Sequence, residues 1–141
     1  MKYWFYLFFP VWLLAEPLNF NRDVRPILSE NCFYCHGVDG NKREADLRLD
    51  IREDALASDA FVPGDLNASE LFYRIHSEDK DEVMPPPESN RVLSAKQKKI
   101  LEQWIKEGAK YEEHWSFVAP EKQSPPKVQI TNWVRNPIDS F

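Results

Sequence analysis

Two thiols and an imidazole stand almost in contact along the chain, in "SENCFYCHGVDG", Ser29 to Gly40. Cys32, Cys35 and His36 suit four kinds of chemistry. They could tether a haem, close a disulfide, run thiol–disulfide exchange, or supply three of the four ligands of a zinc ion. C-x-x-C-H is the attachment pattern of c-type haem. Its logic is geometric. The two sulfurs form thioethers with the two vinyl groups of the porphyrin, and the adjacent histidine is thereby held beneath the iron as proximal ligand. Both cysteines would be consumed, and the chain has only these two.

The rivals fit the spacing less well. A disulfide across two residues closes a very small loop and does little to constrain the unfolded chain. A thioredoxin-like C-x-x-C opens a helix within a βαβ unit, and strand patterns are nearly absent here. Zinc would need His76 or His114 as a fourth ligand, yet structural zinc sites space their ligands as two separated pairs. A histidine directly after the second cysteine strains a tetrahedral chelate.

Haem iron needs a sixth ligand, in electron carriers commonly Met or His. Beyond the initiator, Met84 is the only methionine, in "VMPPP". Pro85 biases Met84 toward extended backbone, and the proline run stiffens the loop that would present a soft thioether to the metal. A lone methionine commonly just fills a core gap; C-x-x-C-H and the prolines together favour the ligand. His76 closes an expected helix, where histidine commonly bonds free carbonyls, and His114 sits beside Trp115. Both are minor candidates for iron. Haem propionates need partners when partly buried. Arg25, Arg43, Arg48 and Arg74 are candidates, with the Trp104 indole N–H.

These residues need elements to hold them. "NRDVRPILSEN" reads as a short helix, capped by Asn21 or Asp23, with Pro26 in its first turn and its end delivering Cys32. "GVDGNKREADLRLD" reads as a loop with a brief extended piece at Leu47 and Leu49, and "IREDALAS" as one or two helical turns. Pro63-Gly64 is a turn. Asn67 and Glu70 resemble a capping box before a helix that ends near His76. "MPPPESN" is a stiff extended loop. The strongest helix follows: Ser94 and Gln97 form a capping box, Ile100, Leu101, Trp104 and Ile105 repeat at helical spacing, and Gly108 suits the left-handed position beyond its end. "YEEHWSFVAP" is expected to be extended and to pack its aromatics back on the domain. The fold class is all-α, short helices joined by long loops.

Of 141 residues, enough for one ordinary domain, the first 15 read as a signal peptide: Lys2, then an apolar run ending at Ala15. The run is shorter than the roughly 20 residues that span a bilayer. The expected organisation is signal peptide 1–15, domain 16–119, linker 120–132, and 133–141 as a tail or the truncated start of a following domain. Export places the cysteines in an oxidising compartment. The formal charge of −5 and the absence of a basic patch disfavour nucleic acid as a partner. No integral membrane span is expected once the signal is cleaved. No nucleophile–base arrangement or catalytic carboxylate pair emerges, so an electron-transfer domain is expected rather than an enzyme.

Several stretches together resemble one family. They are "FNRDVRPILSENCFYCHGVDGNKREADLRLDIREDAL", "VPGDLNASELFYRI", "MPPPES" and "LSAKQKKILEQWIKEGAKYEEHWSF". From about Phe20 to Pro120 they are similar to the planctomycete-type cytochrome c domain, with "VRPIL", C-x-x-C-H-G, "LRLD", "PG", "MPP", W-I-x-x-G-A and "HW" in that family's order. The resemblance implies a small c-type cytochrome fold wrapped around one covalently attached haem c. It implies Cys32 and Cys35 as tethers, His36 as proximal ligand and Met84 as distal ligand. It further implies a periplasmic or cell-envelope location and an unidentified redox partner protein. In that family the domain commonly heads a longer exported protein, and "WVRNPIDSF" looks like the first residues of a next domain. The expected activity is single-electron transfer by a monohaem cytochrome. Two alternatives stand beside it: a haem-based sensor of small ligands with a displaceable distal ligand, and a structural zinc module.

Overall fold

The computed structural model describes residues 17–114, 116–129 and 132–141. The signal peptide expected at 1–15 and the side chain of Trp115 lie outside the described residues. Within them the chain is helical and has no strand; the nearest approach to one is an isolated bridge between Val62 and Asp65. The extended piece expected at Leu47 and Leu49 is turn and coil.

The N-terminal helix is longer and less regular than its sequence suggests. A π-helical turn, Phe20–Val24, runs directly into α1, Arg25–Asn31. The cap is Asn19, whose side chain accepts from the Arg22 amide, rather than Asn21 or Asp23. Asp23 returns the bond by accepting from the Asn19 amide. Asn21 is drawn away because its amide group donates to the Glu113 carbonyl and its Oδ1 accepts from Arg25. Pro26 stands in the first turn of α1, where a missing N–H costs nothing. The helix ends at Asn31 and hands over Cys32, as expected.

Helix α2, Arg52–Ala57, and helix α3, Glu70–His76, are each under two turns. The capping box expected from Asn67 and Glu70 does not form. Asp65 takes the Asn67 and Ala68 amides, and the N-cap of α3 is Ser69. The Ser69 hydroxyl is fully buried and bonds Val62 and Asp65 instead of the helix. Helix α4, Ala95–Lys106, carries the expected Ser94–Gln97 box, and Gly108 beyond it adopts φ +97. Glycine takes that conformation with no steric cost.

Packing concentrates on the junction between the π-helical turn and α4. Trp104 of α4, Phe20 and Phe61 are buried, and Tyr111 is packed against them. Tyr111 stacks on Phe20 at 4.4 Å, and Phe61 meets the Trp104 edge at 5.1 Å. Such aromatic contacts add about 0.5–1.5 kcal/mol each beyond burial. Leu28, Ile75, Leu101 and Ile105 fill the space between the helices. The segment after α4 is stitched down by polar bonds. Tyr111 Oη donates to the Leu49 carbonyl at 2.8 Å, Arg52 to the Ala109 carbonyl at 3.0 Å, and Arg25 to the Glu112 carbonyl at 2.9 Å. The inward packing expected of "YEEHWSFVAP" stops there: Phe117 is 77% exposed. Farther on, Pro137–Ser140 forms a 3-10 turn capped by Asn136.

Candidate functional site

Beyond Asn31 the chain coils once more before leaving the helix. Cys32 and Phe33 both donate to the Leu28 carbonyl, and the Cys35 and His36 amides both return to the Cys32 carbonyl. This knot fixes the two thiols and the imidazole relative to one another. Gly37 is needed directly behind it, because a Cβ there would collide with the Phe33 carbonyl oxygen. The Leu49 amide then donates to the His36 carbonyl at 2.9 Å, and the Glu44 amide to the Cys35 carbonyl at 2.8 Å. The long loop is thus folded back onto the motif.

Cys32, Cys35, His36 and Met84 line one cavity of about 330 Å³. Its remaining wall is mainly apolar, from Leu47 and Leu49 of the loop and Leu71 and Ile75 of α3. Met84 arrives on an irregular segment after α3, where its amide donates to the Arg74 carbonyl at 2.9 Å and the Met84–Pro85 peptide is cis. Pro86 continues extended, but Pro87 opens a 3-10 turn through Ser89, so the proline run bends sooner than a stiff extended loop would.

Electrostatics at the knot follow from burial. The Cys32 thiol is buried and its pKa is pushed up to about 12 by desolvation, so it stays protonated. No disulfide joins Cys32 to Cys35. Burial holds His36 below the usual histidine range, which leaves a neutral imidazole with a lone pair at neutral pH. The Glu44 backbone, at the margin of hydrogen-bond reach, and the Glu44 carboxylate pull the other way. His36 Nδ1 remains buried without a partner. A buried ring nitrogen with no bond is costly, and a metal-bound imidazole commonly resolves it through a backbone acceptor on its far side. Paired thiols, a neutral imidazole, a thioether and an apolar wall fit a haem c.

Zinc is poorly served. His76 is 3.0 Å from Glu102 and packs on Phe72, and His114 bonds Ser116. Neither lines the cavity. Among the described residues no three His, Cys, Asp or Glu side chains converge as a metal-binding group.

The expected propionate partners are mostly engaged elsewhere. Arg25 lies over Phe20, Arg43 bonds the Gly37 and Val38 carbonyls, Arg48 pairs with Asp50, and the Trp104 indole donates to the Lys110 carbonyl. None of them lines the cavity; Arg74 does. Arg91, which no sequence pattern singles out, lines it as well. It follows the proline segment, and only the tertiary fold brings it to the motif.

Residues 32–88 match the family model described as Planctomycete cytochrome C. Over this segment the chain is similar to planctomycete-type cytochrome c domains. The match runs from the first cysteine of the motif to just past Met84, so it spans the part of the chain that carries the cavity's thiols, imidazole and thioether. No curated protein and no solved structure matched the chain. Cytochrome c domains are haem-binding electron-transfer modules. No helix among the described residues is long and apolar enough to cross a membrane.

Proposed function

We propose that the chain is an exported monohaem cytochrome c that passes single electrons between partner proteins. One observation carries the reading: both thiols, the neutral imidazole and the thioether of Met84 face one apolar cavity. Cys32 and Cys35 would hold the haem covalently, and His36 and Met84 would be the axial ligands. When bound, the haem supplies reversible Fe(III)/Fe(II) chemistry. The polypeptide's own task is to keep those ligands fixed and water out. The Cys32–His36 coil does the first, and the leucine and isoleucine wall does the second.

The test is expression of the full chain with a haem-ligation system. A pyridine haemochrome spectrum of c type, one iron per chain, and colour that survives acid–acetone extraction are expected. A chain without covalent haem would sink the reading. A second measurement addresses Met84. The reduced wild type should bind carbon monoxide poorly at neutral pH, and Met84→Ala should bind it readily. Ready binding by the wild type would instead mark a displaceable ligand and a gas-binding role.

A further inference from the structure

Of the four cavity side chains, the Met84 thioether has the least hold of its own. It is neutral and soft, and it stays on a metal only where the chain presents it in place. Beyond Met84 the segment is stiffened by Pro85 and Pro86. Before it the stiffness has to come from bonds, and these converge on one residue of α3. The Met84 amide donates to the Arg74 carbonyl at 2.9 Å. The Arg74 side chain reaches the same segment two residues earlier, where Nη1 donates to the Glu82 carbonyl at 3.4 Å. Its guanidinium is aimed by Glu70, one turn back on α3, with Nε 2.7 Å from Oε1. The loop between is closed on itself. The Val83 amide donates to the Asp79 carbonyl at 2.8 Å, and the Ser77 hydroxyl accepts from the Asp79 amide at 3.1 Å. Residues 78–82 are all exposed, so burial contributes little to their order. Arg74 therefore grips the approach to Met84 at two points, from a helix whose other side chains form the cavity wall.

We propose that Arg74 is the positioning residue for Met84: its guanidinium, aimed by Glu70, clamps the Glu82 carbonyl and so sets how firmly the thioether holds the metal against an incoming ligand. The inference rests on the haem reading above. A group already in place loses less freedom on binding than one that must first be ordered. Loosening the segment leaves the thioether chemically unchanged and makes it a weaker competitor.

The experiment is an imidazole titration of the oxidised, haem-loaded full chain at neutral pH, followed by its visible spectrum. Imidazole enters only where Met84 leaves. Arg74→Gln should bind it about three- to tenfold more tightly than the wild type, between the worth of an exposed ion pair and that of a charge-assisted hydrogen bond. Arg74→Lys should fall between the two, because it keeps the charge beside Glu70 but lacks the second arm for the Glu82 carbonyl. Met84→Ala should bind imidazole most tightly. Adding Arg74→Gln to Met84→Ala should then change the affinity by less than about twofold, because no thioether is left to position. Equal tightening by Arg74→Gln with and without Met84 would overturn the inference, since the arginine would then act on the pocket and not through Met84. An unchanged affinity in Arg74→Gln with a normal covalent-haem spectrum would overturn it and leave the haem reading intact. A Met84→Ala variant no tighter than the wild type would remove Met84 as the ligand and the inference with it, and a wild type without covalent haem would remove both readings. If Arg74→Gln does not accumulate, Arg74→Lys against the wild type decides: tighter imidazole binding supports the clamp and no change overturns it.

Discussion

Gly37 shows how much of the site depends on a single missing methyl. Its neighbour in space is the Phe33 backbone, which is itself pinned by the bond to Leu28 and cannot yield as a flexible side chain would. Gly37→Ala should therefore cost about 1–3 kcal/mol, the range for overpacking a fixed backbone, measured by urea unfolding. The haem-loaded variant should also show a perturbed axial spectrum, because the same coil carries His36. A variant as stable as the wild type would show that the Cys32–His36 coil is softer than its hydrogen bonds suggest. At this scale the thiols, His36 and Met84 were all readable, because their types and order are unusual in themselves. Arg91 was not, since one arginine among many becomes distinctive only when Tyr34 is found beneath it.

Among the elements, α4 was the most legible. Ile100, Leu101, Trp104 and Ile105 repeat at helical spacing through its second half, and Ser94 and Gln97 satisfy each other's backbone amides. Ser94→Ala should destabilise the protein by about 1 kcal/mol, with the loss visible as a lower urea midpoint at unchanged slope. A null result would mean that the packing of Trp104 holds the helix end without help. Helix α3 was equally visible by its apolar face, yet its cap was misread. Asn67 has the right side chain at the right spacing, but Asp65 captures the amides of the turn first. The N-terminal segment was misread for a related reason. Asn19 lies outside the apolar pattern, and its role depends on the π-helical turn that follows. Local competition among short polar side chains decides such boundaries, and no periodicity reports it.

For the molecule as a whole, the clearest electrostatic device is Arg48 with Asp50. The guanidinium bonds both carboxylate oxygens, at 2.8 and 2.5 Å, and about 20% of each side chain is exposed. Arg48 holds the Asp50 carboxyl below its usual value of 3.8. The folded state thus resists protonation more than the unfolded one, and the pair stabilises the fold above the ordinary carboxylate range. That contribution fades as pH falls through the lowered folded value. Asp50→Asn should cost about 1 kcal/mol at pH 7, and the gap to the wild type should narrow as pH falls through the lowered folded value of Asp50. Urea unfolding at several pH values checks both; a gap independent of pH would assign the loss to packing. A different consequence comes from the bonds that join the two ends of the compact part. Asn19 and Asn21 reach Glu112 and Glu113 across the sequence, and Arg25 reinforces them. The backbone therefore forms a nearly closed ring with a hydrogen-bonded clasp. Force applied at the two ends would load that clasp bond by bond, as a zip is opened, rather than shear the aromatic core. The protein would then lose its fastening before its packing.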